Sequence, residues 1–205
     1  MNYLAHIYLS GNNKEIAVGN FMADSIKGKT YKIYPRCIQI GILLHREIDT
    51  FTDSHKVVKL STKRLHKNYG HYSGVIVDIF YDHFLAKNWK LYSDIPLIFF
   101  CKEFYETLKM YDEILPLPVL HFMPLMISNN WLFNYRSISG IKNVLDGMNR
   151  KTNYRSKMNL AITELEYYYH DFEKEFTFFF NELITFSKDK LKILSSPGLR
   201  DDFRK

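Results

Sequence analysis

Two residue pairs in the first half of the chain have the chemistry of a cation site. In the stretch Gly41-Ile-Leu-Leu-His45-Arg46-Glu-Ile-Asp49-Thr-Phe-Thr52-Asp53-Ser-His55, His45 and Asp49 are four residues apart. On a helix that spacing puts both on one face, where their tips can converge on one ion. Imidazole nitrogen and carboxylate oxygen together suit a divalent first-row metal. In Asp78-Ile-Phe-Tyr81-Asp82-His83-Phe84 two carboxylates are again four apart, in the most apolar stretch of the chain. Two carboxylates on a buried helical face repel each other and lose hydration. They call for a cation, either a metal or an arginine such as Arg46. His83 is five residues from Asp78, about 140° round a helix, and is a poorer companion to that pair.

Each of these residues also has an ordinary structural explanation. A histidine and an aspartate at this spacing are commonly a hydrogen bond on a helix surface. Asp24, before a helix stop, reads as polar edge, His6 as a packed histidine, and Asp53 as a helix cap. Asp78 with Asp82 is harder to explain as surface decoration. His66, His71, His121 and His170 stand in no carboxylate pattern. Cys37 and Cys101 lack metal-ligand spacing. There is no P-loop, no dinucleotide-binding glycine fingerprint and no serine elbow. Hydrolysis by a metal-activated water is the chemistry that best matches what remains.

The elements that must position these residues read as helices. Glycine (9) and proline (6) are scarce in 205 residues, which favours few turns and long helices over many short strands. Met1 to Ser10 is short and apolar, and Gly11-Asn12-Asn13 marks a turn. Helices are predicted over Lys14 to Ile26, from Tyr34-Pro35 to about Phe51, and over about 55–67 with Asp53 or Ser54 as cap. Asn68-Tyr69-Gly70 breaks the chain. A strongly apolar, central helix is predicted from Ser73 to Trp89. Others are predicted from Ser93-Asp94 to about Tyr111, over about 119–134 after the bend at Leu115-Pro116-Leu117-Pro118, and over about 138–149. One long helix is predicted from Ser156 to about Lys190, its core stripe carried by Leu165, Tyr169, Phe172, Phe176, Phe179 and Leu183. The expected organisation is one all-α helical-bundle domain over 1–190 and a polar, frayed tail over 191–205.

Composition bounds the rest. A 205-residue chain with 46% hydrophobic and 24% charged residues can bury a sizeable core in one domain. Its 16 Phe and 15 Tyr point to a partly wet core or a lined cleft, or to a genome rich in these residues. No window holds the roughly 18 uninterrupted apolar residues of a membrane span. Met1 to Ser10 has no basic residue ahead of its apolar stretch and does not read as a signal peptide. Two cysteines exclude a disulfide scaffold, and a cytoplasmic location is expected. The net charge of +6 favours an acidic partner: nucleic acid, a membrane surface or an acidic protein.

Several motifs, in order, resemble the acyl carrier protein phosphodiesterase family. They are Asn2-Tyr-Leu-Ala-His6, Gly19-Asn-Phe-Met-Ala-Asp24, Leu44-His45-Arg46-Glu-Ile-Asp49-Thr-Phe-Thr-Asp53-Ser-His55, and Asp78-Ile-Phe-Tyr-Asp82-His83-Phe-Leu-Ala-Lys-Asn-Trp89. The likeness extends through Ser128-Asn-Asn-Trp131-Leu-Phe-Asn-Tyr135 and Gly140-Ile to Arg150, and thins over the C-terminal helix. The resemblance implies removal of 4′-phosphopantetheine from holo acyl carrier protein to give the apo protein. It implies a divalent metal, usually Mn²⁺ with Mg²⁺ or another ion as substitute, and an all-helical fold related to the HD phosphohydrolases. The adjacent His-Asp pair of those enzymes has no counterpart in the first half. Asp82-His83 is in reverse order, and His170-Asp171 lies where the likeness is weak. The implied metal ligands are Asp24, His45, Asp49, Asp78 and Asp82, with Asp24, Arg46 and His55 in catalysis. Arg46 or His55 would bind a non-bridging phosphoryl oxygen. Candidate contacts for the acidic carrier are Lys27, Lys29, Lys32, Arg36 and Arg64; no nucleic acid is expected. The rival readings are an HD-type nucleotide phosphohydrolase and a non-catalytic helical module that binds an acidic protein.

Overall fold

The computed structural model describes residues 2–196. Helices α1 (Tyr3–Leu9), α2 (Lys14–Met22), α3 (Arg36–Ser54), α4 (Lys56–Tyr69) and α5 (Ser73–Lys87) form the first half. After them come α6 (Leu97–Met110), α7 (Leu117–Ser128), α8 (Trp131–Asn134), α9 (Ile138–Lys151), α10 (Ile162–Tyr167) and α11 (Tyr169–Ser195). No strand occurs among the described residues, so the all-α expectation holds. No described helix is long and apolar enough to cross a membrane.

The apolar α5 is the centre of the bundle. Ile76, Val77, Phe80, Tyr81, Phe84 and Leu85 on it are all fully buried. Its aromatic rings meet the stripe of α11: Phe80 against Phe172 at 5.3 Å between centroids, and Tyr81 against Phe176 at 5.6 Å, both edge-on. Such pairs add to the area they bury. This stripe of α11 is the one its periodicity predicts.

Other boundaries differ for local reasons. The apolar segment before Gly11, given no element from sequence, is α1. The predicted 119–134 helix splits into α7 and α8, because Asn130 takes φ 46°, a left-handed conformation that asparagine tolerates. The predicted helix from Ser156 is also divided. Inside it Lys157 takes φ 53°, a 3₁₀ turn, Met158–Ala161, leads into α10, and the chain breaks again at Tyr168 (φ −102°, ψ 25°) before α11. Glu164 on α10 accepts from Asn68 Nδ2 (2.8 Å) and the Tyr69 hydroxyl (2.7 Å), which fixes its direction against α4. The periodic pattern spans the breaks because Leu165 and Phe172 both reach the core. The first part of the expected tail is helical to Ser195, and 197–205 lies outside the described residues.

The crossing of α2 and α3 is unusually close. A Cβ added to Gly41 of α3 would collide with the main-chain oxygen of Ile16, and one added to Gly19 of α2 with that of Ile38. Backbone therefore lies on backbone at this crossing. Neither obstacle is a flexible side-chain end, so the helices must part to admit a methyl group. Gly41→Ala is expected to cost about 1–3 kcal/mol of stability, the range for overpacking. Urea denaturation measures it; an unchanged midpoint and slope would show that the crossing is looser than this.

Candidate metal centre

The α2–α3 crossing, with α1 laid beside it, brings together residues far apart in sequence. His6 comes from α1, Asn20 from the last turn of α2, Asp24 from the 3₁₀ turn Ala23–Ser25, and His45 and Asp49 from one face of α3. The two imidazoles stack, with centroids 4.0 Å apart and planes at 19°. Both rings are buried, while the Asp49 and Asp24 side chains are 40% and 71% exposed. The nitrogens are thus set in the wall and the carboxylates open toward solvent.

Hydrogen bonds fix both ring tautomers. His45 Nδ1 lies 2.9 Å from the main-chain oxygen of Asn20, which can only accept, so Nδ1 donates. His6 Nδ1 lies 2.8 Å from Asn20 Oδ1. The orientation of that carboxamide is set by its Nδ2, which donates to the His6 main-chain oxygen and to Ser10 Oγ, each at 2.9 Å. His6 Nδ1 therefore also donates.

In the neutral rings, then, both Nε2 atoms present lone pairs to carboxylates. His6 Nε2 is 3.2 Å from Asp49 Oδ1; His45 Nε2 is 3.0 Å from Asp49 Oδ2 and 3.1 Å from Asp24 Oδ1. Lone pairs facing lone pairs repel unless a proton or a metal ion lies between them. Atoms bound to one ion at about 2.1 Å and angles of about 90–110° are themselves about 3.0–3.4 Å apart. The separations here fall in that range. The ligand atoms of His6, His45 and Asp49 all lie within 4.8 Å of one another, a triad able to hold a metal ion.

The electrostatics agree. Burial pulls the His45 imidazole down, but hydrogen bonds to Asp24 and Asp49 outweigh it and bring it to about 9. Burial, and then the charge of His45, push His6 down to about 4. At neutral pH these opposite shifts favour a protonated His45 beside a neutral His6. Burial works against ionised Asp49, yet its hydrogen bonds with His45 and His6 hold it well below the usual carboxylate range. Asp24 is lowered chiefly by its hydrogen bond with His45. A divalent ion in place of the proton would balance the two carboxylates and leave both imidazoles in their ligating form. The Nδ1 bonds to Asn20 are of the kind that orients histidines toward a metal ion.

The two carboxylates of α5 have separate settings. Asp82 is fully buried and accepts hydrogen bonds from the amides of Leu4 (2.8 Å) and Ala5 (3.1 Å), at the start of α1. Burial raises its carboxyl to about 7, against those two donors. It thus anchors the helix that carries His6, and it is not in the converging triad. Asp78, half-buried one turn earlier, is raised by burial, with the charges of Asp49 and Asp53 adding to it. Asp82→Ala would strand the two amides at about 1–3 kcal/mol each. Urea denaturation tests this; a free energy of unfolding equal to wild type would remove the anchoring role.

The remaining predicted residues are engaged elsewhere. Arg46 donates to the main-chain oxygen of Ile26 at 3.1 Å and lies 5.3 Å over the Tyr31 ring, bracing the loop after Asp24. His55, rather than Asp53 or Ser54, caps α4 by accepting from the Val57 amide, and its Nε2 lies 3.0 Å from Glu182 of α11. Lys27, Lys29, Lys32 and Arg36 are exposed on and after the braced loop. Arg64 is committed to the fold, paired with Glu175 and packed over Tyr168 and Phe172. His6 and Asn20 are members of the centre that residue spacing does not reveal. His6 is legible only as the last residue of the first family-like motif.

A family model described as acyl carrier protein phosphodiesterase matches residues 1–183. Curated proteins named acyl carrier protein phosphodiesterase are similar over nearly their whole length. That of Photorhabdus laumondii is 28% identical over 191 residues, covering 93% of this chain and 96% of its own. That of Klebsiella pneumoniae subsp. pneumoniae is 29% identical over 199 residues, covering 93% and 99%. That of Enterobacter sp. is 27% identical over 191 residues, covering 93% and 99%. No solved structure matches the chain. With a triad of metal-ligand geometry inside the matched span, the chain belongs to the acyl carrier protein phosphodiesterase family.

Proposed function

We propose that the chain is a divalent-metal phosphodiesterase that hydrolyses the bond between 4′-phosphopantetheine and the serine of holo acyl carrier protein. The products are apo carrier and free 4′-phosphopantetheine, and the setting is the cytoplasm. The observation that carries this reading is the convergence of the His6 and His45 Nε2 atoms on the carboxylates of Asp49 and Asp24. Such a set is made to hold a cation, and it lies in a member of a phosphodiesterase family.

Manganese, or magnesium in its place, would be held by His6, His45, Asp49 and Asp24. When bound, it would offset charge on the phosphoryl oxygens and acidify a water. Asn20 holds both rings in the ligating tautomer through their Nδ1 protons. Asp24, the most open of the four, accepts the proton of the attacking water at its carboxylate. The water oxygen bonds to phosphorus, the bond from phosphorus to the serine oxygen breaks, and that oxygen takes up a proton from solvent while Asp24 releases the one it accepted. Asp78 stays within electrostatic reach of Asp49, and its burial favours the neutral carboxyl. Lys27, Lys29, Lys32 and Arg36 offer an acidic carrier a positive landing surface, held in shape by Arg46.

The test is to incubate the purified chain with holo acyl carrier protein and Mn²⁺, with and without a chelator, and to weigh the carrier by mass spectrometry. Loss of the phosphopantetheine mass only in the chelator-free sample is expected. An unaltered holo carrier under metal-replete conditions would refute the reading.

A further inference from the structure

A phosphodiester has two substituents, and two surfaces near the proposed metal centre differ in chemistry. After Asp24 the chain runs into the exposed Lys27, Lys29 and Lys32. Tyr3 stands one helical turn before His6 on α1 and so on the same face, and its ring lies 5.0 Å from that of Phe21, the residue after Asn20. Burial, with the charge of Asp24 added, pushes the Tyr3 phenol up to about 12, so its hydroxyl stays a neutral donor beside the site. The Tyr3 ring stacks on Phe122 of α7 at 5.7 Å, and Phe122 stacks on Trp131 at 6.3 Å with planes at 3°. All three rings are only partly buried. Leu125, one turn on from Phe122, is 56% exposed.

This surface carries no charge. From Ile114 to Tyr135 there is no Asp, Glu, Lys or Arg, in a chain that is 24% charged. An ordinary solvent-facing helix would carry several. Of the outward residues of α7, Leu117, Pro118, Pro124 and Leu125 are apolar beside His121 and Ser128, and the core takes instead Val119, Met123 and Met126. An acidic protein would not choose this surface, and a neutral chain would. We infer that the aromatic track from Tyr3 over Phe122 to Trp131 receives the uncharged pantetheine arm of the substrate, while the basic loop after Asp24 receives the body of the carrier. The inference rests on the proposed phosphodiesterase activity and assigns the direction in which the substrate lies across the site. Tyr and Trp rings suit such an arm because their faces pack its methylenes and methyl groups while their polar atoms can meet its amides.

The test uses the full chain and two variants, Leu125→Glu and Phe122→Ala. Leu125→Glu alters an exposed position and puts a charge on the track without disturbing the core. With holo carrier, KM is expected to rise about tenfold or more with kcat little changed, the signature of lost uniform binding. Hydrolysis of bis(p-nitrophenyl) phosphate, which lacks the arm, should not change. Free pantetheine, titrated calorimetrically, should bind the wild type and not Leu125→Glu; this titration reads the track even if the wild type fails to cleave holo carrier, which would refute the activity separately. Wild-type KM in both variants, or equal pantetheine binding by wild type and Leu125→Glu, would overturn the inference. So would a dimer that Leu125→Glu converts to monomer with KM unchanged, since the surface would then be a contact between copies of this chain.

Discussion

His6→Ala should lower turnover of holo carrier by at least about 10³-fold in kcat/KM, while helix content is retained and stability falls by only about 1–3 kcal/mol, the cost of leaving the Asn20 side-chain oxygen unpaired. The reason is geometric. His6 Nε2 and His45 Nε2 address opposite oxygens of Asp49. Removing one ring leaves an open ligand position and removes the stacked partner of the other. The stoichiometry of bound Mn²⁺, measured by titration with metal-specific detection, should fall with the activity. Wild-type kcat/KM in His6→Ala would show that the α1 histidine is packing alone and would remove it from the site.

The second large effect is expected at a residue that touches no substrate. Asn20 holds both imidazoles, one through its side-chain oxygen and the other through its main-chain oxygen, and it also bonds back to α1 through the His6 main-chain oxygen and Ser10. Asn20→Ala removes the side-chain half of this. His6 Nδ1 loses its acceptor, so the ring is no longer held in the tautomer that ligates. Loss of such an outer contact costs about 10–100-fold in metal affinity. The unpaired buried groups also cost about 1–3 kcal/mol of stability. Because the defect is in affinity, raising the Mn²⁺ concentration should restore much of the turnover of Asn20→Ala and little of that of His6→Ala. Equal responses of the two variants to added metal would contradict this division of roles.

How much of the site the sequence displays depends on the range of the interaction. The His45–Asp49 pair is legible because four residues on one helix are neighbours whatever the rest of the chain does. All-helical architecture is legible because nine glycines and six prolines leave few turns in 205 residues. Asp24 is legible through the family-like motif and through no physical signal of its own. His6 stands in no local pattern with a carboxylate, and it joins Asp49 only after α1 packs beside the α2–α3 crossing. The close approach at Gly19 and Gly41, which makes that crossing possible, is the physical signal adjacent to Asn20 and His45 in sequence.

Asp82 illustrates the converse. A buried carboxylate four residues from another does need positive charge, and from spacing alone the natural supplier is a metal. The structure supplies two amide donors and the positive end of α1, a partner about eighty residues away that no spacing rule can see. The broken helix after Ser156 has the same origin. Its apolar period is intact, and the breaks come from backbone at positive φ and from the tie between Glu164 and α4. In each case local sequence carries the property, such as burial, charge or period, and tertiary packing chooses the partner.

The most consequential feature proposed for this fold is one divalent ion between the two stacked imidazoles and the carboxylates of Asp49 and Asp24. Anomalous diffraction from crystals of the protein soaked in Mn²⁺ tests it most directly. A manganese peak bonded to His6 Nε2, His45 Nε2 and Asp49, with Asp24 at the solvent side, is the expected result. A peak absent from that position at saturating Mn²⁺, or one held by Asp78 and Asp82 instead, would contradict it.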